Sequence, residues 1–139
     1  MSSGASRIHH MNLEAFKLHY LTHIEAMDEE HISLLRLMNQ INDEVESGKR
    51  SEAGTSLLEL QELLVNHFRH EEVFMEEVKF PFLKPHKDSH ELIRIELGKL
   101  ARSFMNNSQQ RTAESLSRML IDHVDHYDRQ YGDFCKNRS

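Results

Sequence analysis

The sequence predicts an all-α protein, an antiparallel up-down-up-down four-helix bundle with an N-terminal arm. Three observations carry this expectation. Apolar residues recur at helical spacing in four separate segments, and no segment sustains the period-two alternation of a strand. The segments are joined by short links marked by Gly48, Pro81 and the pair Asn106–Asn107. Helices joined by short links pack as antiparallel neighbours. On this reading residues 1–21 form the arm and residues 22–139 the bundle.

The elements follow in order. After a small polar opening, Met1 to Ser6, the arm offers Phe16, Leu18 and Tyr20 for packing. Thr22 followed by Glu25 reads as a capping box at the start of the first bundle helix, whose inner face carries Ile24, Met27, His31, Leu34, Leu35, Met38 and Ile41. Gly48 is its expected C-terminal cap. A second helix beginning near Ser51 presents Leu57, Leu60, Leu64, His67, Phe68, Glu71, Phe74, Met75 and Val78, and Pro81 ends it. Pro85 suits the first turn of a third helix, which carries His86, His90, Ile93, Leu97, Leu100 and Phe104 inward. Ser108 caps the fourth, with Leu116, Met119, Leu120, His123, Val124, Tyr127 and Tyr131 on its inner face.

Composition narrows the class. A chain of 139 residues can bury a core of its own, and 38% hydrophobic with 29% charged residues is the balance of a globular protein. A formal charge of −6 offers no basic stripe for phosphates, so nucleic acid is not an expected partner. No apolar run approaches the roughly 20 residues of a membrane span, and Met1 to His10 lacks a signal-peptide pattern. Cys135 is the one cysteine and has no internal disulfide partner, so the expected compartment is a reducing cytoplasm, free of membrane. The eleven histidines, with no tryptophan, raise the question of a metal.

The inner faces answer it. Polar residues interrupt the apolar stripes at matching depths: His31; His67 and Glu71, one turn apart; His86 and His90, again one turn apart; and His123 with Asp128. Five imidazoles and two carboxylates in a core are costly to desolvate alone, whereas a metal turns them into ligands. Nitrogen with carboxylate oxygen suits iron, zinc or manganese. Seven groups are too many for one metal and suit two. If both carboxylates bridge, the histidines divide three and two and leave one open position. His123 and Asp128, five apart, lie about 140° apart on an ideal helix. Their side chains must straddle the metal pair, or the helix must be locally widened, as π-bulges do at functional sites.

His31, His67-x-x-x-Glu71, His86-x-x-x-His90 and His123-x-x-x-x-Asp128 together resemble the seven-ligand signature of hemerythrins and bacteriohemerythrins. The flanking residues agree: Met27-Asp28-Glu29-Glu30 before His31, Phe68 and Glu72 on the second helix, and Phe80-Pro81 before the third. The likeness runs over roughly residues 16–134. It implies two iron ions in an oxo- or hydroxo-bridged centre. His86, His90 and His123 would hold one, His31 and His67 the other with its open position, and Glu71 and Asp128 would bridge. It also implies that dioxygen binds at the open position, beside an apolar lining of Leu34, Phe68, Leu120 and Val124 that keeps water away.

Two departures from the family stand out. The arm lacks the usual tryptophan, leaving Phe16 or Tyr20 to fill that space, and Met119 stands where many relatives carry a bulky aromatic, which would loosen the pocket and speed autoxidation. The remaining histidines, His9, His10, His19, His23, His70 and His126, fall outside the signature; His70 and His126 are placed for an outer or entry-path role. The rival ferritin-like bundles use Glu-x-x-His, and no histidine here has glutamate three residues before it. The expected function is therefore reversible dioxygen binding for storage, transport or scavenging, rather than enzymatic turnover. The alternatives are a module sensing dioxygen, nitric oxide or redox state through a separate protein partner, and a reductase of peroxide or nitric oxide. Sensory relatives are often fused to transmitter domains, and the chain's end soon after the fourth helix favours the first reading.

Overall fold

The computed structural model describes residues 13–104 and 109–138. Its elements are α1 (Leu13–His19), α2 (Glu25–Glu46), α3 (Arg50–Glu77), α4 (Leu83–Phe104) and α5 (Gln109–His123). A π-helical turn, Val124–Asp128, then leads directly into α6 (Arg129–Arg138). The described residues form helices and links only. α2 packs on α3 and α5, and α4 packs on the same two, which closes a ring of four antiparallel helices. The all-α expectation holds. One element was not anticipated as a helix: part of the arm is helical, and α1 buries Phe16 completely while Leu18 stays exposed.

The helix ends show why the chain turns where it does. Gly48 takes a left-handed φ of 74°, and two bonds close the end of α2: Gly48 N–H to the Val45 carbonyl at 3.1 Å, and Lys49 N–H to that of Glu44 at 2.8 Å. α3 ends the same way, with Lys79 N–H on the Glu76 carbonyl at 3.1 Å and Phe80 N–H on that of Met75 at 2.9 Å. Pro81 lies beyond this turn, so it bars continuation rather than forming the cap. Pro85 falls in the first turn of α4 as expected. The positions of Asn106, Asn107 and Ser108 lie outside the described residues.

The expected capping box does not form. α2 begins at Glu25, so Thr22 sits too far upstream to cap it. Asp28 gathers the link instead. Its Oδ1 accepts from the Thr22 amide at 2.8 Å and hydroxyl at 2.7 Å, and its Oδ2 accepts from the His23 amide at 3.0 Å. A carboxylate within the first turn of the helix satisfies the amides before it, and a helix N-terminus favours its charge.

Burial follows the helical stripes. One large cluster, including Leu37, Met38, Ile41, Leu57, Leu60, Leu64, Ile93, Leu97, Phe104 and Leu116, fills one half of the bundle. Met27, Met75, Phe80 and Tyr131 form a second cluster towards the other end. On α2 and α3 the buried polar side chains His31, His67 and Glu71 stand between residues of these two clusters. A third cluster, Phe16 with Leu35 and Val124, joins α1 to the bundle beside that polar layer.

Candidate metal centre

The four bundle helices each deliver polar side chains to one point. α2 brings His31, α3 brings His67 and Glu71, α4 brings His86 and His90, and the last helix brings His123 and Asp128; all seven are buried. The π turn resolves the five-residue spacing. Its i→i+5 bonding widens the helix over Val124–Asp128, so Asp128 returns to the side on which His123 stands.

The atoms converge in a definite order. His90 Nε2 lies 3.0 Å from Glu71 Oε1, and His86 Nε2 is 3.9 Å from the same oxygen. His31 and His67 each place Nε2 3.1 Å from Glu71 Oε2. Asp128 divides likewise, its Oδ1 lying 2.8 Å from His86 Nε2 and 3.0 Å from His123 Nε2, its Oδ2 2.8 Å from His31 Nε2. Each carboxylate thus turns one oxygen towards each side. Two groups of donor atoms result: Glu71, His86, His90, His123 and Asp128, and His31, His67, Glu71 and Asp128, each mutually within 4.8 Å.

Short as these contacts are, many are not hydrogen bonds. Nε2 of His67, His86 and His123 and both oxygens of Asp128 are buried without a hydrogen-bond partner. Each such group costs about 1–3 kcal/mol when left unsatisfied. Buried donor atoms aimed at a shared point, but not at one another, fit a cation between them, and a donor set of imidazole and carboxylate fits iron.

The electrostatics point the same way. Burial opposes charge on His31, but Asp128 and Glu71 beside it raise its pKa to about 9. His67 is raised to about 10, against burial, by Glu71 and Glu30. Burial opposes ionisation of Glu71 as well, yet the surrounding imidazoles hold it well below the usual carboxylate range, and Asp128 is lowered in the same way by His123 and His31. His90 is pushed down, chiefly by burial. The two carboxylates therefore stay anionic at the centre of the bundle, ready to balance cationic charge.

An outer layer orients the rings. With Nε2 facing inward, Nδ1 of His67 donates to Glu30 at 2.6 Å, Nδ1 of His90 to Glu72 at 2.8 Å, and Nδ1 of His123 to Ser89 Oγ at 2.8 Å. The Tyr131 hydroxyl donates to Glu71 Oε2 at 2.6 Å. Phe68 stacks on His90 with centroids 3.9 Å apart. Sequence reasoning assigned no role to Glu30, Glu72 or Ser89. All three adjoin candidate ligands in the chain, but whether such a neighbour reaches another helix depends on tertiary packing.

Beside His31, His67, His123 and Asp128 lies a cavity of about 20 Å³. Leu34, Phe68, Leu120 and Val124 all line it, joined by Leu35 and Leu64. Such a volume admits about one water-sized molecule. Phe16 packs behind this wall against Leu35 and Val124, and its ring stands edge-on to His31 at 6.4 Å. Met119 packs against the large apolar cluster and is not among the cavity's lining residues. Of the other histidines, His70 bonds Glu30, His23 sits in the Asp28-bound link, and His126 is exposed against Tyr127. His9 and His10 lie outside the described residues.

A four-helix bundle whose core gathers histidines and carboxylates from every helix defines a protein built to hold metal between its helices. The chain belongs to the hemerythrin family: residues 22–135 match the hemerythrin HHE cation binding domain. It is 28% identical to a bacteriohemerythrin of Stenotrophomonas maltophilia (strain R551-3) over 115 residues, 81% of this chain and 75% of that one. A bacteriohemerythrin of Methylococcus capsulatus is 26% identical, covering 80% of this chain and 87% of its own length. One of Pseudomonas aeruginosa (strain LESB58) is 25% identical, over 84% and 77%. No solved structure gives a significant match.

Proposed function

We propose that this protein binds dioxygen reversibly at a non-haem di-iron centre, for storage, transport or scavenging. One observation carries the reading: two donor groups share Glu71 and Asp128 but hold unequal numbers of histidines, three and two. His86, His90 and His123 would hold one iron and His31 and His67 the other, with Glu71 and Asp128 shared between them. The shortfall of one histidine would leave the open position on the His31–His67 side, which is also the side of the small apolar cavity. Bound iron supplies the reversible exchange of electrons with dioxygen.

The chain's own residues set the conditions. Leu34, Phe68, Leu120 and Val124 exclude water and proton donors from the cavity, which favours release over irreversible oxidation. Tyr131 keeps its proton, since burial and the carboxylates beside it push its pKa well above the usual value, and so it remains a donor to Glu71. Five neutral donors against two anionic ones stabilise high oxidation states of iron poorly, which favours carriage over turnover. Among the described residues no helix is long and apolar enough to cross a membrane.

The test is direct. Iron analysis of protein loaded with ferrous iron without oxygen should give two irons per chain. Admitting air should produce a visible charge-transfer band that disappears when oxygen is removed. Immediate conversion to a stable oxidised form would sink the reversible reading, and steady turnover with peroxide or nitric oxide would favour a reductase. His90→Ala should lose about one iron; full loading in that variant would mean the ligands are misassigned.

A further inference from the structure

The two sides of the centre differ in how their rings are held. On the three-histidine side, Glu72 orients His90 and Ser89 orients His123. Each side also has one ring whose Nδ1 has no hydrogen-bond partner, His86 on the first and His31 on the second, so on the two-histidine side Glu30 alone orients a ring, that of His67. Glu30 also gives its oxygens differently from Glu72. One Glu30 oxygen accepts from His67 at 2.6 Å, and the other from His70 at 2.7 Å. The single Glu72 oxygen that bonds His90 at 2.8 Å lies 3.7 Å from the Arg94 guanidinium.

We propose that Glu30 is the positioning residue for the His31–His67 side, holding His67 so that Nε2 faces Glu71, with His70 anchoring Glu30 from outside. This rests on the di-iron reading. The chain of contacts bridges two helices: Glu30 reaches from α2 to His67 and His70, which stand three apart on α3. Both rings thus grip one carboxylate and fix its two oxygens. The chain also runs outward, from a side chain 4% exposed at His67 through 32% at Glu30 to 53% at His70. It opens into a surface cleft of about 460 Å³ lined also by Glu29, Ser33 and Asn66.

Two consequences follow. Loss of Glu30 frees the His67 ring to turn, which weakens the metal held by His31 and His67 and spares the metal held by His86, His90 and His123. Because Glu30 and His70 are partly exposed, replacing either leaves no buried hole, so the variants should fold. Outer partners of ligating histidines contribute about 10–100-fold to metal affinity.

The test uses zinc, which reports ligand geometry without redox chemistry. Metal-stripped full-length chain is titrated with zinc against a chromophoric chelator. The parent should show two tight sites. Glu30→Ala should keep one at the parental affinity and weaken the second about 10–100-fold. Glu30→Gln, which keeps an acceptor oxygen, should recover part of that loss, and His70→Ala should show a smaller loss in the same site. Glu29→Gln, an exposed neighbour in the cleft, should change neither. In proton spectra of the zinc-loaded parent, the His67 ring N–H should appear far downfield and vanish in Glu30→Ala. Equal weakening of both sites, or two unchanged sites and an unchanged N–H signal, overturns the proposal. A parent that binds fewer than two metals overturns the di-iron reading itself, and this inference with it.

Discussion

The Tyr131 hydroxyl donates a 2.6 Å hydrogen bond to Glu71 Oε2, the oxygen that also faces His31 and His67. A tyrosine three residues beyond Asp128 therefore fixes the carboxylate contributed by a different helix. Tyr131→Phe removes that donor while keeping the ring that stacks on His86 at 5.7 Å. Hydrogen bonds to charged groups contribute about 1.5–3 kcal/mol, so urea unfolding should show a loss of that order. Unchanged stability would mean that this bond contributes nothing net.

Gly132 meets the link between α1 and α2 at closest range. A Cβ there would lie 2.5 Å from the Thr22 carbonyl oxygen and 2.9 Å from its Cα. The obstacle is backbone, and Asp28 holds that backbone by the Thr22 and His23 amides, so it cannot swing aside. Gly132→Ala should cost about 1–3 kcal/mol, as overpacking does. It should also speed hydrogen exchange at Thr22 and His23. Slow exchange at both amides in a destabilised variant would place the damage elsewhere.

What could be read in the sequence, and what could not, divides along physical lines. His67 with Glu71 and His86 with His90 are legible because one helical turn needs no tertiary information. The span from His123 to Asp128 is legible only as a conflict with ideal geometry, and of the two resolutions the structure takes the widened helix. The capping box failed because Thr22 and Glu25 have the right spacing but the helix starts three residues after Thr22, where Asp28 outcompetes Glu25 for the free amides. Glu30, Glu72 and Ser89 stayed silent because each acts on a ring from another helix, and pairing between helices is not written in local spacing.

Lys79 ends α3 in the backbone conformation that Gly48 adopts at the end of α2, with φ of 58° against 74°. The same pair of bonds closes both ends, so the two sites form a natural comparison. A residue with a Cβ pays about 1–2 kcal/mol in this region, and glycine gives back about 0.4–1 kcal/mol through the freer unfolded chain. Lys79→Gly should therefore stabilise the protein by about 0.5–1 kcal/mol. Gly48→Ala should destabilise it by about 1 kcal/mol. Thermal melts of the pair check both signs, and a loss in Lys79→Gly would show that the lysine side chain makes an offsetting contribution.

Phe16 links the arm to the chemistry. It is completely buried, packs on Leu35 and Val124, and both of those residues line the cavity beside His31. Removing its ring should cost about 3–5 kcal/mol, the usual range for a buried phenylalanine. If the cavity is where dioxygen sits, the loss should have a second signature. Water would reach His31 and the carboxylates from the arm side, and the oxygen-bound form should decay faster in Phe16→Ala than in the parent. Leu18→Ala separates the two effects, since Leu18 lies on the same helix but is 79% exposed and should leave both stability and decay unchanged. Phe16→Leu, which restores apolar volume, should recover much of the lifetime. A Phe16→Ala protein that is less stable but decays at the parental rate would make α1 a packing element with no part in guarding the site.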